Sequence, residues 1–515
     1  MLLTGAPLTT HDVESVALSR ERVEVAPGVL EALDATRERL LDIIRSGEPY
    51  YGVNTGFGAL GRVRIGADSL EALQSNLIRS HATGVGDPLP REVVRATMLL
   101  LVASLARNHS GVRSEVVRQL VRLINDDIIP YVPEIGSVGA SGDLAPLAHI
   151  ALVLLGEGDV LSPDNHPLPT AELVAEGKLE PITLRAKEGL ALINGTHLMA
   201  ARAALLTESF ERLFAAALVA AAMSIDTSRA TAATLDARIH KVRCQAGQIQ
   251  VARRLRAMLR DSEILRSHAV DDPRVQDPYS FRCCPAVLGA AWDAFQDARR
   301  RIDSELGAVT DNPLLFDSAD DTHSAPHALE LISGGNFHGM PLAIPLDIFA
   351  ISLAHIAGIA ERRVYHMLSG ADPEAELPTF LTPQAGLQSG LMIAQYTAAA
   401  CCNELIGLAN PASVVNLSTS AGMEDYNSFG PRSAAKAVRG LKLTRSVVAI
   451  ELLCAATGLD HHRPLKSGAT VERAFEVIRQ VVPPLEADRS PAPDIRAIDQ
   501  LIEQGAFTFG LTDSD

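Results

Sequence analysis

Aromatic side chains are scarce in this chain, at 4% of residues, and Trp292 is the sole tryptophan. With 47% of its 515 residues hydrophobic, the interior must be built mainly from Ala, Leu, Val and Ile on closely approaching helices, which favours a mainly α body over a β-sandwich. Basic charge is also short. The formal net charge of −16 argues against the basic face that neutralises phosphate backbones, so no nucleic-acid partner is expected and a small-molecule substrate fits better. Cysteines number six, in adjacent pairs Cys283-Cys284 and Cys401-Cys402 with Cys244 and Cys454 far away. This pattern offers neither Cys-x-x-Cys metal spacing nor a disulfide framework, so reduced thiols packed as small hydrophobes and a cytoplasmic location are expected. The first residues lack a basic start and soon meet Asp12 and Glu14, so no signal peptide is expected. The apolar stretch 341–360 is interrupted by Asp347 and His355, which speaks against a membrane span.

What is present is helical periodicity. Apolar residues recur at three- and four-residue intervals over 69–84, 91–107, 113–126 and 143–156, and the alanine-rich run from 194 to 234 predicts a long buried helix. Further helices are expected over 285–309, 343–369, 386–409, 431–457 and 495–504, and the prolines between 157 and 185 predict a surface connection. Length alone suggests about three domains. Helices that are apolar on most sides must, however, be enclosed by one another, so a single continuous domain over 1–515 is expected. Its N-terminal part is 1–190, and residues 191–515 form a long-helix bundle and C-terminal cap.

One short run carries chemistry. Gly136-Ser-Val-Gly-Ala-Ser-Gly-Asp-Leu-Ala-Pro146 contains Ala140-Ser141-Gly142. Attack of the Gly142 amide nitrogen on the Ala140 carbonyl carbon, with loss of two waters, would close a five-membered ring bearing a methylene derived from Ser141. Such a methylene is an electrophile that no ordinary side chain supplies. Closure needs a bare glycine nitrogen and chain freedom, which Gly136 and Gly139 provide. Read blandly, the same run is a flexible loop entering a helix capped by Asp143.

With its Gly-x-x-Gly-Ala-Ser-Gly-Asp-Leu-x-Pro-Leu pattern, the chain resembles the histidine and aromatic amino acid ammonia-lyases, whose signature loop builds the 4-methylidene-imidazol-5-one (MIO) group. The resemblance continues through Tyr51-Gly-Val-Asn-Thr-Gly-Phe-Gly58, Lys187-Glu-Gly-Leu-Ala-Leu-Ile-Asn-Gly-Thr196, Gln276-Asp-Pro-Tyr-Ser-Phe-Arg282 and Ser333-Gly-Gly-Asn-Phe-His338, in the family's order. It implies a long central helical bundle of the ammonia-lyase (fumarase/aspartase-like) type, and a homotetramer with active sites built from several subunits. It carries the β-proton base onto Tyr51 and MIO support onto Asn194 and Gln276. A supporting tyrosine falls at Tyr279, the partner of the substrate carboxylate at Arg282 and a pocket wall at Phe337. Arginine suits the carboxylate because its planar fork offers two parallel hydrogen bonds.

Substrate choice within the family turns on two places. Arg79-Ser80-His81 carries the Ser-His pair of histidine lyases, and Ala421-Gly-Met-Glu-Asp-Tyr-Asn-Ser-Phe-Gly430 puts Glu424 where histidine lyases carry glutamate. A carboxylate accepts from an imidazole N–H, whereas against a phenyl ring it would be desolvated without a partner. Conversion of L-histidine to trans-urocanate and ammonia is therefore expected. The alternatives are a tyrosine or phenylalanine ammonia-lyase, an MIO aminomutase, or a catalytically silent helical scaffold. Met423, Tyr426 and Asn427 depart from the usual histidine-lyase pattern. His323 and His327 beside Asp320 and Asp321 are not read as a metal site, because Ser324 and Pro326 break the helix that would align them. His461-His462 is read as a solvated loop pair.

Overall fold

A computed structural model describes residues 1–45, 49–56, 58–317 and 329–511. The His323/His327 cluster lies outside the described residues, as do the last residues of the acidic tail. Long helices dominate, and the expected ones are found at Leu70–His81, Arg91–Leu105, Ser114–Asn125, Leu144–Leu154, His197–Thr227, Cys284–Glu305, Met340–Ser369, Met392–Leu408, Gly430–His461 and Ala492–Glu503. The connection over 157–185 holds the short strands Asp159–Leu161 and Pro167–Pro169 and the helix Thr170–Ala175. Helices Ala246–Met258 and Ala469–Arg479 were not marked by periodicity. Met340–Ser369 is long and apolar enough to cross a bilayer by length and composition, yet 61% of its apolar window is buried inside the protein.

By internal contacts the described chain falls into two compact units, each drawn from separate stretches of sequence. The first comprises 1–205, 300–346 and 411–435. Its helix Arg91–Leu105 is buried almost throughout, and its four small sheets have two strands each. In one of these sheets Val85–Pro88 runs antiparallel to Pro133–Ile135, pairing Val85 with Ile135 and Pro88 with Pro133. The second strand of that pair delivers the chain to Gly136, and helix Leu144–Leu154 receives it on the far side of the signature loop.

The second unit comprises 206–299, 347–410 and 436–515. Here the few aromatic rings are concentrated. Phe210 stacks on Phe295 at 4.3 Å and meets Phe349 edge-on at 5.4 Å, while Phe214 stacks on Trp292 at 4.7 Å. Such pairs add about 0.5–1.5 kcal/mol each beyond the area they bury. Elsewhere the interior is small: every residue from Phe214 to Met223 is fully buried, mostly alanine, which lets neighbouring backbones approach closely. His462 is buried rather than solvated, its Nε2 lying 2.7 Å from the Thr227 carbonyl. The expectation of a solvated pair therefore fails for His462, because this histidine satisfies the last turn of a long helix.

An ion pair with both members fully buried stands inside this apolar bundle. Arg363 and Glu451 are both fully buried, joined by Nε to Oε1 and by Nη2 to Oε2 at 3.0 Å. Ser224 donates to Glu451 Oε1 at 2.7 Å, and Arg363 Nη1 reaches the Ser280 carbonyl at 3.3 Å. The pair thus binds four stretches of chain, and its charges are compensated only by each other. Glu451→Gln strands the guanidinium, so unfolding in urea is expected to show a loss of about 3–5 kcal/mol. The double replacement Arg363→Met/Glu451→Leu, which removes both charges, is expected to recover at least half of that loss.

Candidate active site

The signature loop is held by its backbone. Phe429 N–H donates to the Val138 carbonyl at 2.9 Å, and the Gly139 carbonyl accepts from the Ser428 hydroxyl at 2.9 Å and from Gly339 N–H at 3.2 Å. Asp143 N–H donates to the Gly195 carbonyl at 2.8 Å, and Gly195 N–H donates to the Ser141 carbonyl at 3.4 Å. Gly142 lies between these two bonds at φ +78°, where an added Cβ would collide with the Gly195 carbonyl. Only glycine fits there. No hydrogen bond engages the Gly142 N–H among the described residues.

Asp143 sits at the N-terminal end of helix Leu144–Leu154, as the bland reading supposed, but its side chain does not cap that helix. Oδ2 instead accepts from the backbone N–H groups of Leu198 and Met199, each at 3.0 Å, in the first turn of His197–Thr227. These are donors with no partner inside their own helix. Burial pushes the Asp143 carboxyl up to about 6, against the opposing pull of the Met199 N–H, the Ser137 hydroxyl and Arg202.

Above the loop lies a cavity of about 590 Å³ lined by Tyr51, Leu77, His81, Ser141, Leu144, Leu190, Asn194 and Glu424, among others. A smaller one of about 200 Å³ continues along the other side of Ala140-Ser141-Gly142 and shares His81, Ser141 and Glu424. Five of the residues singled out in the sequence therefore converge on one space. Gly58 N–H donates to Tyr51 Oη at 3.0 Å. His81 Nδ1 is 2.8 Å from the Leu77 carbonyl, which can only accept, so Nδ1 carries the proton and Nε2 remains an acceptor. Burial lowers the His81 pKa, although the Leu77 carbonyl and Glu424 pull the other way, so the neutral ring is favoured.

Glu424 is held from two sides, with Ser141 Oγ donating to Oε1 at 2.9 Å and Thr419 Oγ1 donating to Oε2 at 3.1 Å. Thr419 carries no motif; the tight turn over 419–424, with Ser420, Ala421 and Gly422 at positive φ, brings it there. Asn194 ends the short helix Glu188–Ile193, and its Nδ2 donates to the Asn312 carbonyl at 3.0 Å. Among the described residues, no Arg or Lys lines either cavity.

The remaining residues singled out in the sequence are placed as follows. Phe337 is half-buried and lines neither cavity. Its neighbour His338 reaches the Tyr426 carbonyl through Nε2 at 3.0 Å, tethering the segment that carries Glu424. Gln276, Tyr279 and Arg282 belong to the second unit. There Gln276 and Tyr279 are exposed, Arg282 lies over the Tyr279 ring at 4.4 Å, and Arg282 Nε is buried without a hydrogen-bond partner.

Comparison with known proteins agrees with this geometry. Residues 8–480 match the aromatic amino acid lyase family. A histidine ammonia-lyase of Deinococcus radiodurans is 45% identical over 96% of this chain and 92% of its own length. The crystal structure of a histidine ammonia-lyase from Trypanosoma cruzi superposes with a TM-score of 0.89 at 38% identity, covering 99% of this chain and 94% of the other. A tyrosine aminomutase from Streptomyces globisporus gives 0.90 at 33% identity, with 99% and 98% covered, so backbone shape alone does not separate these activities. With its long-helix fold and the match spanning most of its length, the chain belongs to the aromatic amino acid lyase family and is a carbon–nitrogen lyase.

Proposed function

We propose that this chain is a histidine ammonia-lyase that converts L-histidine to trans-urocanate and ammonia, using an MIO group formed from Ala140-Ser141-Gly142. The observation that carries the reading is the meeting of Glu424, His81 and Tyr51 over Ser141 in one cavity, in a chain 45% identical to a histidine ammonia-lyase. The loop suits ring closure: the Gly142 N–H is unengaged and the bonds on either side hold it in a left-handed turn. When formed, the group supplies an electrophilic methylidene that turns the substrate amine into a better leaving group.

The chain's own residues do the rest. Glu424 accepts an imidazole N–H of the substrate, and His81 Nε2 offers a second acceptor at the same end of the cavity. Tyr51 Oη takes the β-hydrogen. The Gly58 N–H donates to that oxygen, a contact that stabilises the negative charge a phenolate base carries before it takes the proton. Asn194 meets the ammonium. A carboxylate in this cavity has no cation to pair with, since its lining holds neither Arg nor Lys. The substrate carboxylate is therefore assigned to Arg282 of a neighbouring copy, with Tyr279, Gln276 and Phe337 likewise donated between subunits of a homotetramer. Exposed apolar side chains such as Leu60, Val63, Leu417 and Met423 in the first unit support such a covered face. The six free thiols support a reducing, cytoplasmic setting.

The purified protein is expected to weigh two waters less than its sequence by intact mass spectrometry, and Ser141→Ala to abolish both the deficit and nearly all turnover. Full activity at the unmodified mass would end the MIO reading. Tyr51→Phe is expected to lower kcat by about 10²–10⁴-fold without unfolding the protein. Co-expression of Tyr51→Phe with Arg282→Ala chains is expected to restore part of the activity each lacks alone, because some sites then receive both intact residues. Glu424→Gln is expected to cut histidine turnover far more than any residual phenylalanine turnover, since a buried polar site rejects an apolar ring strongly. Urocanate, coumarate and cinnamate formation by wild type and variant checks this. Efficient coumarate or cinnamate production with little urocanate would reassign the substrate, and β-amino acid products would indicate a mutase.

A further inference from the structure

We propose that the buried Lys187–Asp311 pair is a positioning device that fixes the orientation of the Asn194 amide, so that its oxygen faces the substrate ammonium. Lys187 Nζ meets Asp311 Oδ2 at 2.5 Å, with Lys187 fully buried and Asp311 3% exposed. The other carboxylate oxygen, Oδ1, accepts from Asn312 N–H at 2.6 Å and lies 3.5 Å from Asn194 Nδ2. The Asn312 carbonyl accepts from the same Nδ2 at 3.0 Å. Both hydrogens of the Asn194 amide thus face oxygen atoms that can only accept. Turning the amide over would set its oxygen against a carboxylate and a carbonyl with no proton between them. Oδ1 is therefore left to the cavity that Asn194 lines, as an acceptor for a cation and not a donor.

Lys187 precedes helix Glu188–Ile193 and Asn194 follows it, so Asp311 secures both ends of this short buried element. The lysine does not line the cavity; it holds the carboxylate in place. The pair is silent in any motif reading, because its members lie 124 residues apart. The inference rests on the lyase reading of the cavity.

The test uses Ser141→Ala protein, which cannot turn substrate over, and measures calorimetric binding of L-histidine and of imidazolepropionate, the analogue without the amine. The variant Lys187→Met/Asp311→Asn removes both charges together and avoids a stranded one. It is expected to weaken L-histidine binding about tenfold or more, the size of one charge-assisted hydrogen bond, while imidazolepropionate binding stays within about twofold. Adding Asn194→Ala is expected to cost nothing further, since both changes act through the same amide. Equal weakening of both ligands would make the pair merely structural and overturn the proposal, as would independent losses in the combined variant. Should that variant not fold, Asp311→Glu, which keeps both charges but displaces the carboxylate from Asn194, is scored by the same ratio of the two ligands. Failure of the parent Ser141→Ala protein to bind either ligand would instead overturn the histidine reading itself.

Discussion

The site depends on one carboxylate serving a helix other than its own. By accepting the free N–H groups that open His197–Thr227, Asp143 fastens the end of the signature loop to the beginning of one of the longest helices in the chain. The loop gains a rigid reference without a regular structure of its own. Burial raises the carboxyl, but two backbone donors and a neighbouring guanidinium act against that penalty. The glycine contact between Gly142 and Gly195 depends on the same junction, since Asp143 N–H bonds the Gly195 carbonyl and the next residue begins the approach to the long helix.

Around that junction the first unit assembles residues that are widely separated in sequence. His81 and Asn194 sit at helix ends and Tyr51 and Glu424 in turns, so the four come from separate elements. The site is polar where an imidazole would rest and apolar where Leu77, Leu144 and Leu190 contribute. Its want of any cation is as informative as the groups it has. The described lining offers an amino acid's carboxylate no cationic partner, which is why the proposed reading calls on a second copy.

Much of this was legible in the sequence, for reasons that differ from part to part. The long helices were readable because an alanine- and leucine-rich interior imposes a helical period over many turns. The signature loop was readable because its glycines and the Ala-Ser-Gly run form a pattern that few sequences share. Partners made by tertiary approach were not readable. Asp143 looked like an ordinary cap, because spacing does not reveal that a second helix begins nearby with its N–H groups unmet. His462 looked solvated for the same kind of reason. Thr419, which holds Glu424, and Asp311, which holds Asn194, carry no local signal at all. For Phe337 the motif was clear, yet motif membership did not say that its ring would line neither cavity.

The hydrogen bond from Ser141 to Glu424 imposes an order in time. On the proposed reading, the hydroxyl that occupies Glu424 Oε1 is the one that would leave as water when the ring closes, so the chain before closure would carry its own competitor for the carboxylate. Ring closure would remove that competitor in the same event that creates the electrophile, coupling the readiness of the binding group to the readiness of the reactive one.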